Sequence, residues 1–370
     1  MRRRLLSLMR KEFIQIRRDR RTLAMMVLIP LLWLVVFGYA ATFDVREIPT
    51  AVAIPPDFPA GQQLVAILDS SAYFKVVESG PGTRADLERA IKEGRAAIGV
   101  LPPVAGQPGL FLADGSDLFT AQTAARQLQA LSQQLTQQLG PLFGAAGGTL
   151  AGASTTTQMS FETVFLYNPD LRSANFMIPG LVGVVMVFIA TIMTAVGVVR
   201  ERERGTLEQL MVTPLGPLEL MVGKMAPYVL ISFVDLVLVV VAGVYLFHVP
   251  FAGSPLLLFL LSFLFLFTCL GIGVLVSTVS QTQQQAMQLA VFTLLPQILL
   301  SGFIFPLAAI PWSVRWVAYL APLTYFVPIA RGTFLKDLGM GQLWPYAAVL
   351  AAYAVVVVGL AALRFRRMML

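Results

Sequence analysis

Stretches near residues 23–43, 177–199, 226–247, 256–278, 287–305 and 344–363 are apolar for long enough to cross the ~30 Å of hydrocarbon in a bilayer. Nothing else in the sequence constrains the fold as much. In hydrocarbon every backbone polar group must be satisfied within the chain, and a run of this length does so as a helix. The expected fold class is a polytopic α-helical membrane protein with six transmembrane helices. Composition agrees: 57% of residues are hydrophobic and only 13% charged. The mean hydropathy of +0.75 is that of an integral membrane chain.

The net charge of +7 raises nucleic acid as a partner, but the placement of the charge argues against it. Of the 27 Lys and Arg residues, nine fall within 2–21, four within 200–224 and three within 364–367, at the ends of apolar runs. That distribution is the positive-inside pattern of cytoplasmic segments. It puts both termini and the loops 200–225 and 279–286 in the cytoplasm, and 248–255 and 306–343 outside; 248–255 carries no Lys or Arg. Gly38-Tyr39-Ala40 loosely fits a signal-peptidase site, but run 23–43 is longer than a signal core and follows a long basic leader, which favours an uncleaved span. Before it, Leu5, Leu8, Met9, Phe13 and Ile16 share one side of a helix, with Arg10, Lys11, Arg17 and Arg18 elsewhere. Residues 1–21 therefore read as an amphipathic interfacial helix on the inner leaflet. A bare topogenic charge cluster is the simpler alternative.

Residues 22–43 are the first span, and 44–175 form a polar insert before the second. With eight basic and twelve acidic residues it breaks from the basic cytoplasmic ends, and domains of this length translocate regardless of charge. Strand-like patterns at Thr50–Ile54, Phe74–Val77, Ala96–Leu101 and Leu110–Leu112 alternate with helical ones at Phe58–Leu68 and Arg84–Glu93. This predicts a small α/β extracytoplasmic domain. Asp117–Leu139 reads as a Gln-rich helix carrying a stripe of Leu118, Leu128, Leu131, Leu135 and Leu139. The stripe suits packing on its own domain, or a coiled contact with another periplasmic protein. Gly140–Thr157 is rich in Gly, Ala and Thr and reads as a flexible connection. Residues 176–370 hold the remaining five spans.

No catalytic constellation emerges. Gly223-Lys224 lacks the upstream glycine and following Ser/Thr of a phosphate-binding loop, and H-E-x-x-H, G-x-S-x-G and paired-Cys motifs do not occur. Cys269 cannot form an internal disulfide, and His248 is the lone histidine, so a multi-histidine metal site is excluded within one chain. Enzyme activity in this polypeptide alone is not expected. Asp235 is the acidic residue within a span, where a carboxylate is costly. It is either a pathway or proton-linked group, or a packed acid with an interhelical hydrogen bond. The segment 300–336 carries Pro306, Pro311, Pro322 and Pro328 among Trp312, Trp316, Tyr319 and Tyr325. Too broken for a span and too apolar for an ordinary loop, its part 306–336 fits re-entrant outer helices anchored by interfacial aromatics. Such pieces can close a pathway on its outer side or simply pack the bundle.

Between two of the apolar runs, Arg200–Pro214 reads R-E-R-E-R-G-T-L-E-Q-L-M-V-T-P. Charges so close to a bilayer face water, where a soluble partner can push them. This run resembles the cytoplasmic signature of ABC-2-type transporter permeases, R-E-x-G-T-x-E-x-L-x-x-T-P. Asn168-Pro169, Leu171, Phe176, Pro179 and Gly180 resemble that family's approach to its second span, in the inner-membrane drug-efflux branch with a large periplasmic domain. Leu300-Ser301-Gly302, Phe305-Pro306, Pro311, Pro322, Tyr325 and Arg331 are similar to its proline-rich outer segment. The match covers nearly the whole chain in order, with 44–175 matched by position and size.

The resemblance implies the permease subunit of an ATP-binding-cassette exporter in a bacterial inner membrane, moving hydrophobic or amphipathic, drug-like compounds. It implies no cofactor in this chain, with ATP and Mg bound by a partner ATP-binding subunit. Further partners implied are a second permease, identical or similar, the lipid bilayer and a periplasmic adaptor protein. By position, Arg200, Glu201, Arg202, Gly205, Thr206 and Glu208 are the ATPase-coupling residues. Asp235, Pro306, Pro322, Tyr325 and Arg331 are the pathway or gating candidates. Two rivals stand beside it: a proton-coupled secondary transporter using Asp235, and a sensor whose periplasmic domain binds a ligand and signals through 200–225.

Overall fold

The computed structural model describes residues 45–56, 58, 60–103, 108–146, 160–205 and 217–369. The expected interfacial helix 1–21 and first span 22–43 lie outside the described residues, as do Thr206, Glu208 and most of the Gly140–Thr157 connection.

The polar insert folds around a five-stranded mixed sheet: β1 (Ile48–Ala53), β2 (Phe74–Gly80), β3 (Ile98–Leu101), β4 (Gly109–Asp114) and β5 (Phe161–Leu166), in the order β2-β1-β3-β4-β5. β1 pairs parallel with β2 and β3, β3 antiparallel with β4, and β4 parallel with β5. Strand periodicity sorts the side chains. Ile48, Val52, Ile98, Val100 and Phe111 face one cluster with α1 (Gly61–Ser70) and α3 (Leu118–Ala146). Ala51, Ala53 and Leu112 face the other cluster with α2 (Arg84–Lys92). α2 starts on a capping interaction, the Thr83 N–H donating to the Asp86 carboxylate at 3.0 Å, which with the Thr83 hydroxyl holds that carboxyl below its ordinary pKa.

The expected elements of the insert coincide with β1 to β4, α1 and α2, to within a few residues at their ends. The Leu stripe of α3 resolves towards its own domain: Leu128 and Leu135 are buried in the insert's core with Leu131 packed against it, and Leu118 is buried at the start of the helix. Residues 140–146, read as flexible connection, continue that helix. β5 was not anticipated.

The rest is a helical bundle: α4 (Ser173–Glu203), α5 (Pro217–Tyr245), α6 (Pro255–Val279), α7 (Gln283–Leu300), α8 (Trp312–Ala318), α9 (Leu323–Leu335) and α10 (Met340–Met369). Among the described residues four helices are long and apolar enough to cross a bilayer: Ser173–Glu203, Pro227–Tyr245, Pro255–Val279 and Met340–Arg364. They match four of the expected spans. The run expected at 287–305 is α7, which begins four residues earlier on three glutamines and stops at Leu300. Its 18 residues give about 27 Å of helix. It is not among those four helices because its polar first turn dilutes the apolar run.

α4 and α6 form the buried centre. Gly273 brings them into backbone contact, since a Cβ there would meet the Thr191 carbonyl at 2.8 Å. Gly183 of α4 makes room for Phe326 of α9, whose ring stacks on Phe265 of α6 at 4.3 Å between centroids. α5 and α10 lie outside this centre, exposing Leu230, Val234, Leu238, Val355 and Leu363. Apolar side chains on the outside of a bundle with a packed interior are what hydrocarbon solvent permits. Prolines sit inside α4, α5, α7, α9 and α10. Membrane helices tolerate them because neighbours re-satisfy the freed backbone groups.

Candidate coupling and gating sites

α4 joins the two ends of the molecule. Its 31 residues give about 46 Å of helix, beginning against the α/β domain and ending in the charged run. At the far end Gly205 adopts φ +69, a left-handed conformation that glycine takes without penalty, and its N–H closes on the Arg202 carbonyl at 3.1 Å. The glycine of the charged motif is thus a helix terminator. Arg200 and Arg202 occupy the last turn, where cations oppose the helix dipole. Arg200 is exposed and donates from Nε to Gln283 Oε1 at 3.1 Å. Glu203 accepts the Gln283 backbone N–H at 3.0 Å and also its side-chain amide. Glu201 and Arg202 are half-buried beside them.

Asp235 sits on α5, half-buried, and its Oδ2 is buried without a hydrogen-bond partner among the described residues. One turn earlier, the buried Ser232 Oγ is in the same position. The two lie on an outer helix, away from the other named candidates.

At the opposite end of the bundle, the proline-rich segment is organised around Arg331. Gly302 at φ +82 turns the chain after α7. Arg331 of α9 donates to the Gly302 carbonyl at 3.1 Å and the Phe303 carbonyl at 3.0 Å, with its guanidinium 3.9 Å from the centroid of the Phe176 ring on α4. One flat cation thereby binds a turn, a helix and an aromatic face, a geometry that suits Arg and not Lys. Pro306 is buried and starts the 3-10 turn Leu307–Ala309; Pro322 is buried and starts α9. Tyr325 donates its hydroxyl to the Tyr319 carbonyl at 2.9 Å, and Tyr353 of α10 donates to the same carbonyl at 3.0 Å. The segment holds short helices, as expected, with Trp312 and Trp316 exposed beside it.

The joint between domain and bundle was not legible beforehand. Asn168, fully buried, donates to the Gly115 carbonyl at 3.3 Å and accepts from the Arg172 N–H at 3.0 Å and the Asn175 amide at 2.9 Å. It ties the end of β4 to the start of α4. Lys336 pairs with Asp114, each side chain only 11–12% exposed, and the ammonium lies 5.4 Å from the Tyr167 ring centroid. Burial and the nearby carboxylates of Asp114 and Glu88 push the Tyr167 phenol up to about 12. A cavity of about 320 Å³ occupies the joint, lined by Asp114 and Asp117 from the domain and by Pro306, Arg331 and Lys336 from the bundle. Thus the structure gathers Pro306 and Arg331 at one cavity. It puts Arg200, Glu201, Arg202 and Gly205 at the other end and leaves Asp235 apart from both.

Long apolar helices bundled with a charged, glycine-terminated helix end on one side and an α/β domain on the other are the build of a multi-pass membrane protein. The chain belongs to the ABC-2 transporter family: the model described as "ABC-2 family transporter protein" matches residues 20–363. It is similar to "Probable multidrug ABC transporter permease YbhS" of Escherichia coli K12, 32% identical over 99% of this chain and 97% of that one. It is 28% identical to "Probable multidrug ABC transporter permease YbhR" of the same organism, over 94% of this chain and 95% of that one. A third relative, "Inner membrane transport permease YhhJ", is 32% identical over 56% of each chain.

Proposed function

We propose that this chain is the permease subunit of an ATP-driven exporter in a bacterial inner membrane, powered by a separate ATP-binding subunit that holds ATP and Mg. Six spans would place both termini in the cytoplasm and the α/β domain in the periplasm, within reach of an adaptor protein. Two such permeases, identical or similar, would form the pathway for hydrophobic or amphipathic compounds, as the multidrug descriptions of the relatives suggest. Helix 1–21 and the segment 200–225, whose two ends are the last turn of α4 and the start of α5 rather than loop, would carry the contact with the ATPase. Closure of the motor on ATP would displace that segment, and α4 would carry the displacement to the joint and the gating segment.

The observation that carries this reading is the continuity of α4 from the charged run to the α/β domain. α4 runs as one helix over that distance, closed at the charged end by Gly205 and carrying Pro179 close to its domain end, so a push on Arg200, Glu201, Arg202 and Gly205 would be carried along it towards the joint. Thr206 and Glu208 would extend the contact beyond the helix. The test is co-purification of the chain with its ATPase. The complex should hydrolyse ATP faster when an amphipathic compound such as ethidium is added. Gly205→Pro or Glu208→Ala should abolish that stimulation. No associated ATPase, or stimulation untouched by both substitutions, would defeat the reading.

A second reading is favoured by one observation, the buried Oδ2 of Asp235, which has no hydrogen-bond partner among the described residues. A carboxyl without a partner in a span suits a proton-coupled carrier. That carrier would run on a proton gradient without nucleotide and stop with Asp235→Asn.

A further inference from the structure

α7 is fastened to α4 at both of its ends, by different chemistry. At the far end the fastening is polar. The Gln283 amide accepts from Arg200 Nε and donates to the Glu203 carboxylate, which also takes the Gln283 backbone N–H. That N–H belongs to the first turn of α7, where no intrahelical partner exists, so Glu203 caps α7 from another helix. Thr282 caps another first-turn donor, its hydroxyl accepting from the Gln285 N–H at 3.2 Å. At the domain end the fastening is steric. Phe303, just beyond α7, fills the space that Gly180 of α4 leaves open; a Cβ at Gly180 would sit 2.3 Å from the Phe303 ring. The Phe303 and Gly302 carbonyls are the ones Arg331 holds.

We propose that Glu203 and Gln283 are positioning residues that pass displacement of the α4 terminus into α7, and through α7 into the turn held by Arg331. This rests on the exporter reading and adds a second route to it. α4 alone drives the α/β domain, whereas the Glu203–Gln283 clasp drives the segment carrying Pro306 and Arg331. Neither residue touches a transported molecule. The clasp needs an amide at one position and a carboxylate at the other. Only a group that both accepts from Arg200 and donates to Glu203 satisfies the two neighbours together.

The test uses the full chain with its ATPase in proteoliposomes, with ethidium as transported probe and the ratio of ethidium moved to ATP hydrolysed as readout. Gln283→Glu sets two carboxylates against each other, so the ratio should fall roughly fivefold or more, the low end of ordinary coupling between sites. ATPase co-purification and basal hydrolysis should stay at the unsubstituted level. The exchange Glu203→Gln with Gln283→Glu rebuilds the clasp with donor and acceptor reversed, so it should return the ratio to within about twofold, RT-scale agreement for a restored pair. A lowered complex yield in the single variant, with the ratio unchanged in what assembles, would show a merely structural role and overturn the proposal. An unchanged ratio in Gln283→Glu, or no rescue by the exchange, overturns the proposal while leaving ATP-driven export standing. Absence of ATP-driven ethidium transport by the unsubstituted complex overturns both.

Discussion

Removing the Lys336 charge should loosen the joint between domain and bundle far more than removing Lys336 and Asp114 together. Both side chains are nearly buried and 222 residues apart in the sequence, so the pair holds two separately built bodies in register. Breaking one partner of a buried pair leaves an uncompensated charge and costs about 3–5 kcal/mol, whereas an apolar replacement of both is close to neutral. Asp114 retains hydrogen bonds from the Ser116 N–H at 3.1 Å and hydroxyl at 2.6 Å, which soften the loss. Lys336→Met should therefore cost about 3 kcal/mol, the low end of that range. At about 1.4 kcal/mol per decade, that is roughly a hundredfold more frequent opening of the joint. Hydrogen exchange in nanodiscs, followed in β4 and α9, reads this directly. Asp114→Leu with Lys336→Met should recover most of the protection. If the two single effects simply add, or Lys336→Met changes exchange by less than threefold, the pair does not hold the joint and the argument fails.

Arg331→Lys keeps the charge but loses the two-carbonyl fork and the flat face on Phe176. It should cost about 2 kcal/mol and raise exchange in the turn 301–305, whereas retained protection would show that charge alone suffices. Tyr167 supplies a pH dependence. Its phenol is raised, so the stabilisation it lends is complete below its ordinary value of 10.0 and is lost as pH climbs through about 12. In an ultraviolet titration this phenol should ionise later than a free tyrosine, across that alkaline window, and Tyr167→Phe should remove that late step. Gly183→Leu places a side chain where the Phe326 ring and Leu323 already sit, so it should displace α9 and cost about 1–3 kcal/mol, measured as a fall in Tm.

What the sequence made legible was local. Apolar runs announce spans because hydropathy is summed over neighbours, and strands β1 to β4 because their alternation is written into consecutive residues. β5 was missed because its partner β4 lies some fifty residues earlier and runs parallel to it, so no hairpin turn marks the pairing. The glycine of the charged run was legible as a motif, and the structure gives it a conformational reason at φ +69. Glu203, Gln283, Asp114 and Lys336 were not, since each becomes informative only beside a residue 80 or 222 positions away. Asp235 stood out by the rule that span carboxylates are costly, and its Oδ2 is buried without a hydrogen-bond partner among the described residues. Arg331 entered by resemblance, and the carbonyls it binds could not have been read from its own neighbours.

On the proposed reading, force enters this permease from a nucleotide-hydrolysing partner at the charged end of α4. Ethidium transport should be measured in proteoliposomes holding the chain with and without its ATPase, under ATP or an imposed proton gradient. Ethidium should move only with the ATPase and ATP, and should go on moving in Asp235→Asn. Movement by the chain alone on a proton gradient, abolished by Asp235→Asn, would contradict it.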